Sequence, residues 1–67
     1  MADEPEPYRV RMLRRVRLRG RLFVTGQVVD IWGDTALRSA AGLVATKQAR
    51  PADARTARDV ALYQMTR

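Results

Sequence analysis

The chain has 67 residues, a formal net charge of +6 and neither cysteine nor histidine. That excludes disulfides, thiolate metal sites and imidazole chemistry, and it limits the chain to one domain with a thin core, burying about 60% of its unfolded surface. Twelve of the thirteen basic residues are arginine, with Lys47 the exception, which favours forked contacts to phosphate or carboxylate.

The first seven residues, MADEPEP, are acidic and proline-containing. They read as a disordered leader, unlike the basic, apolar start of a signal peptide. Apolar runs elsewhere are only a few residues long, far short of the roughly 20 needed to span a bilayer, so no membrane contact is expected.

From Tyr8 the pattern has a period of two. Tyr8, Val10, Met12, Val16 and Leu18 alternate with Arg9, Arg11, Arg15, Arg17 and Arg19, as in a half-buried strand with one basic face. Leu13 and Arg14 break the alternation, which predicts a bulge or bend there. Arg19-Gly20 reads as a hairpin turn into a second strand, Arg21 to Val24. Thr25-Gly26 reads as another turn, and Gln27 to Trp32 as a third strand rich in β-branched residues.

Asp34 and Gly42 bracket a short helix as N-cap and C′ residue, after which Leu43-Val44-Ala45 is expected as a closing strand. Beyond Lys47 the chain is polar and alanine-rich. Pro51 fits the first turn of a marginal helix, about Ala52 to Met65. The expected fold is α+β: a small antiparallel β-meander or SH3-like barrel, one short helix and a marginal C-terminal helix. The expected organisation is a leader at 1–7, a β-rich domain at 8–46 and a polar, helical tail at 47–67.

Asp30, Asp34, Asp53 and Asp59 form no acid–base or metal-ligand motif. Ser39 and the threonines have no histidine to activate them, and the four glycines are isolated turn residues rather than a phosphate loop. The reading is therefore of a protein that is not an enzyme and holds no cofactor or metal. Arg9, Arg11, Arg15, Arg17, Arg19 and Arg21 are the candidate contacts to nucleic acid or to an acidic partner. Aromatic stacking platforms, which single-strand readers interleave with charge, are missing from that face. Phe23, Trp32 and Tyr63 are assigned to a protein interface instead, and Leu22, Val24, Val29, Ile31 and Leu37 to core or contact surface.

Three pieces, VRMLRRVRLRGRLF, TGQVVDI and ALRSAAGLV, together resemble a group of very small proteins encoded in the structural-gene regions of tailed bacteriophages and prophages. The resemblance covers roughly Tyr8 to Ala45. Thr25 and Gln27 stand where proline and aspartate are usual, Trp32-Gly33 lengthens the step into the helix, and the residues after Lys47 have no counterpart. The resemblance implies a virion or head–tail assembly accessory in the bacterial cytoplasm or the virion. Its partners would be other assembly proteins and, given the thin core, further copies of itself. A sequence-independent DNA- or RNA-binding domain using the arginine face is the alternative.

Overall fold

A computed structural model describes residues 6–66, so Met1 to Pro5 of the expected leader lie outside the described residues. Five strands and two helices run in the order β1 (Tyr8–Met12), β2 (Val16–Leu18), β3 (Arg21–Phe23), β4 (Val28–Ile31), α1 (Ala36–Ala45), β5 (Ala49–Pro51) and α2 (Ala54–Met65). The class is α+β, as expected. Its strands form a three-stranded antiparallel sheet in the order β4-β1-β5 and a separate β2–β3 ribbon. β1 is thus the central strand, with Tyr8 opposite Ile31 on one side and Met12 opposite Ala49 on the other.

Alternation along β1 decides what lies on each face. Val10 and Met12 are fully buried beneath the two helices, while Arg9 and Arg11 stand on the open face. Full burial of such an apolar side chain stabilises by about 1.5–3 kcal/mol. Ala36, Ala40, Ala41 and Leu43 of α1, Ala49 of β5 and Val60 of α2 complete the helix side of the core, and Phe23 closes it from the ribbon. Alanine makes up much of this core, so the layers approach closely but each contact is small.

The break in alternation at Leu13-Arg14 is where the chain leaves the sheet. Leu13 N–H still donates to the Gln48 carbonyl at 2.9 Å, and the following residues turn away into the ribbon. At the ribbon tip Arg19 (φ 51°) and Gly20 (φ 77°) both take left-handed backbone, as a two-residue hairpin turn requires. The Val24–Gln27 turn is different. Gln27 N–H donates to the Val24 carbonyl, Gly26 N–H donates to Met12 O, and Met12 N–H donates to Gln27 O. With Gly26 at φ 87°, this is a glycine bulge that fastens the turn to β1 rather than to β3.

Several expected boundaries move. The N-cap of α1 is Thr35, without a side-chain capping bond, so Asp34 lies just outside the helix instead of capping it. Gly42 sits within α1 rather than ending it, and Leu43-Val44-Ala45 forms the helix's last turn rather than a strand. The helix ends in a Schellman arrangement: Lys47 N–H donates to Val44 O and Gln48 N–H to Leu43 O. The left-handed C′ position is therefore Lys47, at φ 63°. The closing strand comes later, as β5, and includes Pro51, which was expected in a helix. Residues beyond Lys47 thus supply both an edge strand and a docked helix.

Asp53 caps α2 by accepting from Thr56 N–H at 2.8 Å. The Thr56 side chain is fully buried, and its Oγ1 accepts from Arg9 N–H at 3.1 Å, while Ala52 N–H donates to Arg9 O at 2.8 Å. The hydroxyl supplies an acceptor to β1 where β5 has ended at Pro51. Tyr8 adds a second tie, donating to Asp59 Oδ2 at 2.8 Å beneath the Arg55 guanidinium, which lies 4.3 Å from the ring centroid. Arg55 Nη1 also donates to the Pro7 carbonyl at 3.0 Å.

Two outcomes follow from these contacts. Left-handed backbone costs a residue with a Cβ roughly 1–2 kcal/mol, against about 0.5–1 kcal/mol of extra chain entropy for glycine. Lys47→Gly is therefore expected to raise stability by up to about 1 kcal/mol in urea unfolding, and Lys47→Val to lower it.

The second concerns pH. The bond from Tyr8 holds the Asp59 carboxyl below its usual range, so its contribution is present above the unfolded carboxylate value of about 3.9 and is lost as pH falls through the folded value. The same bond, with burial and the Asp59 charge, pushes the Tyr8 phenol up. That contribution is present below about 10 and is lost as pH rises through the folded value. Urea midpoints measured across both limbs should change less with pH in Tyr8→Phe than in the parent.

Candidate functional site

The sheet's open face carries Arg9 and Arg11 from β1, Val28 and Asp30 from β4, and Arg50 from β5. Cross-strand register sets the pairs. Arg9 stands opposite Asp30 and donates from Nε to its Oδ1 at 2.8 Å. That bond and the Asp30 charge raise the Arg9 pKa. Arg11 stands opposite Arg50, and two like charges directly opposed on one face are destabilising unless an anion lies between or beside them. Arg11 Nη1 donates to the Gly26 carbonyl at 3.2 Å, which tethers it without neutralising it.

The remaining arginines are dispersed rather than aligned in one stripe. Arg15 lies in the connection between β1 and β2. Arg17 stands opposite Leu22 on one face of the ribbon, and Arg21 opposite Leu18 on the other. Arg19 is at the tip. Six arginines read as one sequence pattern are therefore split: Arg9 and Arg11 on the open sheet face, Arg17 on the outer ribbon face, Arg21 on the inner ribbon face with Leu18 and Phe23, Arg15 in the connection and Arg19 at the tip. Arg50, which the sequence pattern left in a tail, joins Arg11; only recognition of β5 would have revealed it.

The inner ribbon face borders a concavity. A cleft of about 360 Å³ lies between the ribbon and β4, lined by Leu18, Arg19, Arg21 and Phe23 on one side and by Val29, Asp30, Ile31 and Trp32 on the other. Ser39 and Leu43 of α1 also line it. Its volume is at the low end of small-ligand pockets, about 300–1,000 Å³, and its walls are mostly apolar. Trp32, just past β4, is 57% exposed. Arg21 lies over the Phe23 ring, 5.4 Å from its centroid, which fixes a cation at the cleft wall.

Phe23 and Trp32, both assigned to an interface from the sequence, thus meet in one cleft. Tyr63 is elsewhere: it lines a shallower groove of about 260 Å³ with Leu37, Asp59, Leu62 and Thr66. Phe23 is buried, whereas Leu22 and Val24 are exposed. Val29, Ile31 and Leu37 pack against the core. Among the described residues no group of three or more acidic, histidine or cysteine side chains could hold a metal ion, and no helix is long and apolar enough to cross a membrane. Comparison with protein-family models, with curated proteins and with solved structures gives no match.

Trp32 is the chain's only tryptophan, so its fluorescence reports the cleft directly. With Arg19 and Arg21 on the facing wall, iodide is expected to quench it more strongly than caesium at equal ionic strength. Arg19→Ala with Arg21→Ala should bring the two quenching constants together.

Proposed function

We propose that this chain is a non-enzymatic protein-contact module, an assembly accessory of the phage or prophage type that it resembles over Tyr8–Ala45, working in the bacterial cytoplasm or the virion. One observation carries the reading. An apolar cleft has a half-exposed tryptophan on one wall and a buried phenylalanine on the other, with a cation fixed at the second wall. Aromatic and arginine side chains are the residues that dominate binding energy in protein interfaces. Leu22 and Val24 extend the exposed apolar surface around the ribbon.

A second reading, sequence-independent nucleic-acid binding, is favoured by a different observation: the Arg11–Arg50 pair on the open sheet face has no carboxylate partner among the described ion pairs. Phosphate would relieve that repulsion, with an affinity that falls steeply as salt rises.

The two readings separate in one set of measurements. A photo-crosslinking residue at position 32, expressed from the native locus, is expected to give a nuclease-resistant protein adduct; no adduct, or a nuclease-sensitive one, overturns the protein-contact reading. Binding of duplex or single-stranded DNA is expected to be no tighter than nonspecific association, about 10⁻⁴–10⁻⁶ M at physiological salt. Tighter binding that Arg11→Ala with Arg50→Ala abolishes would move the primary function to nucleic acid.

A further inference from the structure

β3 and β4 follow one another in the chain, yet they do not pair. The Val24–Gln27 turn that joins them spends its backbone bonds on itself and on Met12 of β1. From that turn the two strands diverge, and the cleft occupies the opening between them. β4 therefore has β1 on one side and an unpaired edge on the other. Alternate residues of an antiparallel strand turn their N–H and C=O groups away from the partner. On β4 these are Val28 and Asp30; Asp30 lines the cleft, and no backbone bond to another described residue occupies the outward groups of either.

We propose that this cleft takes an extended acidic-apolar segment of another protein, which adds to the free edge of β4 as a further strand. The inference rests on the protein-contact reading and specifies its mode. Main-chain bonds to an open edge supply affinity in strand addition, and pockets for alternate side chains supply selectivity. Here the pockets are present. Side chains on the inward face of the guest meet Leu18, Phe23, Leu43 and Trp32, beside Val29 and Ile31 of β4 itself.

Charge selects the guest. Arg19 and Arg21 stand on the facing wall without an acidic partner among the described ion pairs, and Asp30 is already engaged by Arg9. A carboxylate on the guest would complete the two free cations, whereas a lysine there would be repelled. A second copy of this chain is the poorer occupant. Each copy carries a net charge of +6, and pairing two β4 edges would bring those charges together.

The test uses the full chain and a labelled eight-residue peptide of alternating valine and glutamate, with Trp32 emission and peptide anisotropy as readouts. Binding with a blue shift of Trp32 is expected, weakened about tenfold or more by Arg19→Ala with Arg21→Ala, or when lysine replaces glutamate in the peptide. Two further peptides carry N-methyl groups on every valine or on every glutamate. The guest's donors toward β4 come from one alternate set, so one methylated peptide should lose about tenfold in affinity and the other should not.

Equal retention by both methylated peptides overturns strand addition while leaving the protein-contact reading standing. Lysine peptides binding as well as glutamate peptides overturn the acidic guest. If no peptide binds but the crosslinker at position 32 still captures a protein, this mode alone falls. If that capture fails too, both readings fall. Unchanged urea midpoints in the arginine variant exclude unfolding as the cause of any loss.

Discussion

The structure depends on keeping every backbone group of β1 bonded on both edges. A strand at the centre of a sheet cannot leave polar groups unpaired without a cost comparable to a lost hydrogen bond for each. β4 serves one edge from Tyr8 to Arg11, and the Gly26-Gln27 turn takes over at Met12. β5 is only three residues long and ends in proline, so the other edge would fail at Arg9. Thr56 closes that gap with a hydroxyl from inside α2, while Ala52 N–H takes the adjacent carbonyl. Because Thr56 N–H is itself held by Asp53, the helix cap and the sheet ladder share one residue. Docking of α2 is thereby a condition of the sheet, not an addition to it.

That arrangement explains which parts were legible from residues alone. The alternation from Tyr8 to Leu18 is strong because one face is buried and the other is wet, and the slip at Leu13-Arg14 marks the bend that separates sheet from ribbon. The β2–β3 hairpin turn and the Val24–Gln27 turn each carry a left-handed glycine, Gly20 and Gly26, which makes both turns legible. The end of α1 was not, because its C′ residue is Lys47, and glycine is the usual signal there. β5 was hidden for a related reason: Ala-Arg-Pro has little intrinsic strand preference, and its pairing with β1 comes from tertiary contact. Thr56 reads as an ordinary helix residue until its bond to Arg9 is seen.

The candidate site was half legible on the same grounds. Residue type marked Phe23 and Trp32 as interface anchors, and the fold brings them into one cleft. The arginines read as a single stripe because a sequence pattern treats the strand as continuous. Once the chain bends after Met12, β1 and the ribbon present their arginines to different surroundings, and Arg9 is matched by Asp30 through register alone. Arg11 gains Arg50 as a neighbour in the same way.

The pairing of Val10 with Pro51 also has a temporal side. Synthesis delivers β1 long before β5 and α2, so the strand that organises the sheet spends an interval with an unpaired edge. An apolar strand in that condition is a template for association with other nascent chains. Arg9 and Arg11, interleaved with Val10 and Met12, place charge within the same stretch, and charge on an open edge opposes such pairing. The charge of Arg9 and Arg11 opposes such association for as long as that edge stays open, independently of any partner the chain later meets.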